Sequence, residues 1–143
     1  MERWPMFLID TNVISEMYKS KQANQGVIDF FRQVQRTKQY VYFSVITIGE
    51  LRRGINLTRY KGDIVRANHL ELWLTQIIER YQQAILEVDL QTVQLWGQLR
   101  VPNPHNEIDK LIAATALIHD LTLVTRNTKD FETTGVKLLN PFV

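Results

Sequence analysis

The chain has 143 residues, 45% of them hydrophobic and 22% charged, a composition typical of a single globular domain that here would span residues 1–143. Seventeen Lys and Arg residues against fifteen Asp and Glu residues give a net charge of only +2, which permits a nucleic-acid partner without requiring one. Because there is no cysteine, disulfides, zinc–thiolate sites and thiol nucleophiles are excluded.

The sequence also lacks the patterns of membrane and secreted proteins. No apolar run reaches the roughly 18 residues that a membrane-spanning helix needs. The first residues, Met1-Glu2-Arg3-Trp4-Pro5, do not form a cationic region followed by a long apolar segment, so we predict no signal peptide. We therefore expect a cytoplasmic protein with no membrane partner.

Predicted strands and helices alternate along the chain. Apolar or β-branched runs predict strands at residues 7–9, 40–46, 85–88, 121–124 and 136–139. Apolar side chains at helical spacing predict helices around residues 14–18, 27–34, 51–55, 70–81, 93–99 and 108–116. This order predicts an α/β fold with a mostly parallel central sheet and helices on both faces.

Three acidic residues each have a simple structural explanation. Thr47 and Glu50 fit a capping box, which predicts a helix that begins at Thr47. Asp10 follows the first strand and would cap the next helix, and Asp109 would complement a helix dipole. Each acid taken alone is therefore weak evidence of a functional site.

Their common position in a parallel sheet is stronger evidence. In such sheets the active crevice lies beyond the carboxyl ends of the strands. Asp10 follows the first strand, Glu50 follows the second, and residues 125–130 follow the fourth. Asp109 begins a helix that would return from the same edge. We therefore expect these side chains to lie close together.

Gathered carboxylates have a characteristic chemistry. They repel one another and acquire raised pKa values unless a cation neutralises them. Oxygen ligands without cysteine favour Mg²⁺ or Mn²⁺ over zinc. Such an ion polarises a phosphoryl oxygen and lowers the pKa of bound water, which is the chemistry of phosphodiester hydrolysis. Asp10 or Asp109 would orient or deprotonate that water.

Five segments together resemble the PIN-domain proteins, and among these most closely the VapC/FitB toxins of type II toxin–antitoxin systems. They are residues 7–12, 48–51, 108–116, 123–131 and 140–142. The resemblance implies a PIN-like fold and a Mg²⁺- or Mn²⁺-dependent endoribonuclease. It also implies inhibition by a cognate antitoxin, a homodimer, and contact with operator DNA only through the antitoxin.

The same resemblance assigns roles to particular residues. Asp10, Glu50 and Asp109 fall on the family's three acidic, metal-binding and catalytic positions. The fourth position is divided between Asn127 and Asp130, of which Asp130 is the better charged candidate. Three further residues are expected to position carboxylates or water, namely Thr11, Asn12 and Thr125.

The cationic residues near these motifs admit two interpretations. They are either contacts to RNA phosphates or solvated charges, and they comprise Arg52, Arg53, Arg126 and Lys129. Lys110 stands where the family more often has a small residue, and we interpret it as a solvated side chain rather than a phosphate contact. The three histidines lack metal-ligand spacing and are expected in loops or on the surface.

Two other enzyme classes fit less well. A haloacid-dehalogenase-type phosphatase would have a second Asp two residues after Asp10, where Asn12 stands. A receiver domain would have an acidic pair and a later Lys that this sequence lacks. The alternative from another class is a non-catalytic PIN-like binding subunit in an antitoxin–operator DNA complex. The presence of all three core acids argues against it.

Overall fold

The computed structural model describes residues 6–143, whose five strands are β1 (Phe7–Ile9), β2 (Val41–Ser44), β3 (Ile85–Leu86), β4 (Thr122–Val124) and β5 (Leu138–Leu139). They form one parallel sheet in the order β3-β2-β1-β4-β5. Residues 1–5, for which we predict no signal peptide, lie outside the described residues. The predicted mostly parallel sheet is thus confirmed.

Helices connect the strands and cover the sheet. They are α1 (Thr11–Met17), α2 (Gln25–Thr37), α3 (Val45–Tyr60), α4 (Ile64–Arg80), α5 (Leu90–Leu99) and α6 (Glu107–Ile118). Short 3₁₀ turns occupy Ser20–Gln22, Gln82–Ala84 and Thr128–Thr134. Within residues 6–143, no helix has both the length and the apolar character needed to cross a membrane.

The central strand β1 divides the hydrophobic core into two layers. Phe7 and Ile9 belong to a cluster that includes residues of α1, α2, α3 and α4. Leu8 belongs to a second cluster on the other face, with residues of α6 and the 3₁₀ turn at 128–134. This alternation follows from the two-residue period of a strand, which places successive side chains on opposite faces of the sheet.

The second strand and the following helix differ from the prediction. The strand ends at Ser44, and the Ser44 hydroxyl caps α3 by accepting from the Ile46 amide at 3.0 Å. The predicted helix start at Thr47 and the capping box with Glu50 are therefore wrong. Val45 and Ile46 have high strand propensity, but the Ser44 cap and packing place them in the first helical turn.

The later strands are shorter than the runs that predicted them. The first predicted residue of the fourth strand, Leu121, turns its amide to the Ala116 carbonyl at 2.8 Å and closes the end of α6. The edge strands β3 and β5 contain two residues each. Apolar residues beside these strands can pack in the core without pairing in the sheet, so hydrophobicity alone overestimates the length of such strands.

Gly26 provides a test of how closely residues 140–143 pack on α2. A methyl group on Gly26 would overlap the carbonyl oxygen of Pro141, whereas one on the exposed Gly97 in α5 would contact nothing within 4 Å. We expect Gly26→Ala to lower the free energy of unfolding by about 1–3 kcal/mol. The matched Gly97→Ala should raise it by about 0.5–1 kcal/mol through helix propensity. Urea denaturation measures both, and equal effects would contradict the packing.

Candidate active site

Asp10 lies at the carboxyl end of the central strand and is only 4% exposed. Its Oδ1 accepts from the Thr11 amide at 2.8 Å, which caps α1. Its Oδ2 accepts from the Thr125 hydroxyl at 2.7 Å and from Asn12 Nδ2 at 3.3 Å. Burial raises the pKa of Asp10, and the charge of Glu50 adds to that effect, while the hydrogen bonds oppose it. Asp10 is therefore both a helix cap and a buried carboxylate.

Glu50 reaches the same edge from the second turn of α3. Its Oε1 accepts from the Thr11 hydroxyl at 2.8 Å, and that hydroxyl also lies 3.3 Å from the Thr47 hydroxyl. Thr47 is fully buried. The start of α1 is thus joined to α3 through side chains, and Glu50 contacts the residue next to Asp10 rather than capping its own helix.

Asp109 is the third acid, in the first turn of α6. Its pKa is raised to about 6, first by burial and then by the negative charges of Asp10, Asp130 and Glu50. Because each of these charges acts on Asp109, the four carboxylates share one electrostatic environment. The charges of these acids thus reach Asp109, while their grouping into one metal site stays a prediction.

The loop after β4 is bound to the beginning of α1. Asn12 Oδ1 accepts from the Arg126 amide at 3.1 Å, and the Thr125 hydroxyl accepts from the Asn127 amide at 3.1 Å and from Asn12 Nδ2 at 3.3 Å. Thr125 and Asn12 therefore contact Asp10 and also fix the loop that carries Asn127. Asn127 takes part in these contacts through its backbone amide, while its side chain is exposed.

Two exposed residues of this loop, Asn127 and Asp130, are the candidates for the fourth metal-binding position. Asp130 stands in the 3₁₀ turn, and its amide donates to the Asn127 carbonyl at 3.0 Å. The charge of Asp130 contributes to the raised pKa of Asp109. A neutral amide at Asn127 supplies no such charge, and the choice between Asp130 and Asn127 as the fourth metal-binding residue stays a prediction.

The candidate RNA-contacting cations have different surroundings. Arg52 forms an ion pair with Glu71 of α4, at 2.6 Å between Nη1 and Oε2. Arg53, Arg126 and Lys129 have exposed side chains. Arg52 is therefore the least available of the four for an additional partner.

Lys110 does not lie where the sequence predicts it. Its side chain is buried, at 5% exposure, and its Nζ donates to the carbonyl oxygen of Asn103. The expectation of a solvated side chain is wrong, because the ammonium group satisfies a backbone carbonyl of the loop before α6. His69, His105 and His119 are exposed, as expected.

Sequence reasoning missed the contact of Thr47 with Thr11 and the anchoring role of Lys110. Thr47 precedes Glu50 by three residues, so both occupy the same face of α3. That spacing is the signal by which Thr47 can be found once the helix is known to begin at Val45. Lys110 has no comparable local signal, because its partner Asn103 belongs to an irregular loop.

The donor chemistry of this site fits a hard divalent cation. The side chains offer carboxylate, hydroxyl and amide oxygens, which Mg²⁺ and Mn²⁺ prefer. A cation would also offset the repulsion that raises the pKa of Asp109. Among residues 6–143, no group of three or more His, Asp or Glu side chains is placed so that it could hold a metal ion as the side chains stand.

Comparison with known proteins identifies the family of the chain. The model of the PIN domain matches residues 7–137. Toxin FitB of Neisseria gonorrhoeae is 34% identical over 96% of this chain and 99% of its own length. VapC ribonuclease Y4jK of Sinorhizobium fredii is 29% identical over 96% and 98% of the respective lengths. The solved structure of FitAB bound to an IR36 DNA fragment is 31% identical, with a TM-score of 0.77 and 95% of both chains covered. This chain belongs to the PIN-domain family and, within it, is similar to the VapC and FitB toxins.

Proposed function

We propose that this protein is the toxin of a toxin–antitoxin pair and a divalent-metal-dependent endoribonuclease. The observation that carries the proposal is the buried Asp10 carboxylate at the carboxyl end of the central strand, which is joined to Glu50 through Thr11. The charges of Asp10, Glu50 and Asp130 also act on Asp109, which completes the set of four acids. The similarity to a protein named as a VapC ribonuclease supports RNA as the substrate. The cytoplasmic location and the single domain predicted from the sequence belong to this proposal.

The four acids are the proposed metal ligands, with Asn127 as the alternative to Asp130. When bound, Mg²⁺ or Mn²⁺ would polarise the scissile phosphate and acidify a water molecule. Thr11, Asn12 and Thr125 hold the carboxylates of Glu50 and Asp10 through the hydrogen bonds described above. The chain itself contains no residue that must act as a covalent nucleophile in this mechanism.

Asp109 is the better of the two candidates for accepting the proton of the attacking water. Both carboxylate oxygens of Asp10 already accept hydrogen bonds within the protein. Asp109 is only partly buried, so its carboxylate can meet a water molecule and the substrate from the solvent side. Asp10 would therefore serve to hold the site in place, while Asp109 faces the substrate.

The partners follow from the relatives. FitB is named as a toxin, and FitAB is bound to a DNA fragment in the solved structure. We infer that this chain binds a cognate antitoxin, forms a homodimer, and meets operator DNA only through that antitoxin. Light scattering of the free chain and of the co-expressed complex measures both stoichiometries.

Removal of metal tests the proposed mechanism. Purified, antitoxin-free protein is incubated with a panel of transfer, ribosomal and messenger RNA, in Mg²⁺, in Mn²⁺ and in EDTA. We expect cleavage in either metal, none in EDTA, and recovery when excess Mn²⁺ is added to the chelated sample, because the proposed reaction needs the cation to polarise the phosphate and acidify the water. Denaturing gels and end-mapping of the products provide the measurement.

Two results would contradict the proposal. Cleavage that continues at full rate in EDTA would overturn the metal-dependent mechanism. A folded protein that binds Mn²⁺ but cleaves no RNA of the panel would favour the non-catalytic binding subunit. In that case the chain would act only within its antitoxin–DNA complex.

A further inference from the structure

The backbone of Arg126 is fixed beside the acidic site. Its amide donates to Asn12 Oδ1 at 3.1 Å, and the preceding residue, Thr125, donates to Asp10 Oδ2 at 2.7 Å. The Arg126 side chain is exposed and lies over the ring of Phe142, with its Cζ 4.9 Å from the ring centroid. This distance is within the range of cation–π attraction.

Phe142 is itself held in place by its neighbours. Its amide donates to Asn140 Oδ1 at 3.0 Å, and its ring packs against the larger core cluster. The next residue, Val143, exchanges two hydrogen bonds with Asn24, at 3.1 Å from the Val143 amide and 3.0 Å to its carbonyl. The ring is therefore a fixed platform, although it is more than 15 residues from Arg126 in the sequence.

A carboxylate on α1 adds an electrostatic component. Glu16 accepts from Lys19 Nζ at 2.9 Å and from the Asn24 amide at 2.8 Å. These two hydrogen bonds lower the pKa of Glu16, and the charges of Lys19 and Arg126 contribute further. Glu16 therefore stays ionised at neutral pH, and its charge attracts the Arg126 guanidinium.

The guanidinium over the ring keeps hydrogen-bonding capacity. A guanidinium carries five N–H donors, and contact with one aromatic ring does not use all of them. In the described range, residues 6–143, no carboxylate forms an ion pair with Arg126 within 4 Å. An anion such as a phosphate can therefore bind these donors without first breaking an ion pair.

We propose that Phe142 is a positioning residue, which holds the Arg126 guanidinium ready to bind a phosphate of the RNA at the edge of the acidic site. The inference rests on the proposed ribonuclease function. RNA approaching four carboxylates meets unfavourable charge, so a cation at the rim contributes attraction where it is most needed. A guanidinium that is already oriented loses less conformational entropy on binding than a freely rotating one.

Binding of RNA in EDTA tests this inference separately from cleavage. Fluorescence anisotropy of a labelled single-stranded RNA is measured over a range of salt concentrations with the full chain. We expect Arg126→Gln to weaken binding about tenfold at low salt and to reduce the slope of log K against log salt by about 0.7. The control is Arg36→Gln. Arg36 lies in the last turn of α2, which leads into the beginning of β2, at the end of the sheet opposite the acidic site. Its effects on the affinity and on the salt slope should each be less than about a third of those of Arg126→Gln.

A double-mutant cycle isolates the role of the ring. Phe142→Leu keeps an apolar side chain but removes the aromatic face, and we expect about threefold weaker binding in the wild-type background. In the Arg126→Gln background the same change should have no further effect, because the two residues act through one contact. Phe142→Tyr keeps the ring and should bind RNA like the wild type. Under cleavage conditions, Phe142→Leu should raise KM with kcat nearly unchanged.

The outcomes separate this inference from the proposed function. Equal losses from Phe142→Leu in both backgrounds would show a merely structural role and overturn the inference. An unchanged affinity and salt slope in Arg126→Gln would also overturn it. Because both are binding measurements in EDTA, they stand whether or not the wild-type protein cleaves RNA, and circular dichroism of each variant confirms that it is folded.

Discussion

Asp10→Asn is expected to reduce RNA cleavage by a factor on the order of 1000 or more, the scale seen when a central catalytic group is removed. Asn keeps an oxygen that can accept from the Thr11 amide, so α1 retains its cap. The lost charge is the one buried at the centre of the four-carboxylate site. Initial rates of cleavage of a labelled RNA in Mn²⁺, for wild type and variant, provide the measurement.

Asp89→Asn is a chemically matched control for this substitution. Asp89 caps α5, and its Oδ1 accepts from the Thr92 amide at 2.9 Å and from the Thr92 hydroxyl at 2.7 Å. Asp10 likewise accepts from one backbone amide and one threonine hydroxyl. We expect Asp89→Asn to leave cleavage unchanged. Substantial cleavage by a folded Asp10→Asn protein would contradict the proposed mechanism.

Asp109→Asn should separate stability from activity. Burial and the neighbouring charges raise the pKa of Asp109 to about 6, so ionisation at neutral pH costs the folded state free energy that the unfolded chain does not lose. Removing the charge should stabilise the metal-free protein by about 1 kcal/mol once screening of this half-exposed group is included, or about 2–5 °C in Tm. Cleavage should be lost at the same time.

The gain in stability has a defined pH dependence. In the folded protein the pKa of Asp109 lies above its ordinary value of 3.8. The loss of folding stability caused by its charge is therefore at its full size above about pH 6 and disappears as the pH falls towards 3.8. Thermal melts in EDTA at pH 7.5 and pH 4.5 should therefore show a larger difference between variant and wild type at the higher pH. Addition of Mn²⁺ should raise the Tm of the wild type more than that of the variant.

Glu107→Gln is the control for Asp109→Asn. Glu107 is also an acid in the first turn of α6, but it forms an ion pair with Arg100 at 3.1 Å. Its charge is neutralised locally, so its removal should leave stability unchanged or slightly lower. A Tm gain in Glu107→Gln equal to that in Asp109→Asn would indicate a general effect of helix charge instead of repulsion within the site.

Most of the architecture could be predicted from hydrophobic patterns. The continuous apolar run at residues 7–9 and the helical spacing around residues 27–34 correspond to β1 and α2. The start of α3 could not be predicted, because Val45 and Ile46 have strand propensity and the buried Ser44 hydroxyl overrides it. Local preferences are weak, so the Ser44 cap places the start of α3 at Val45, two residues before the predicted start at Thr47.

The acidic site shows a similar division. The sequence by itself determined that Asp10, Glu50, Asp109 and Asp130 follow or precede elements that meet at one sheet edge, because parallel strands all end on the same side. Only the tertiary structure decided that Glu50 contacts Thr11 across α1 and α3, that Lys110 is buried against Asn103, and that Phe142 lies under Arg126. Each of those contacts joins residues from different elements, and their distance depends on packing that no local pattern encodes.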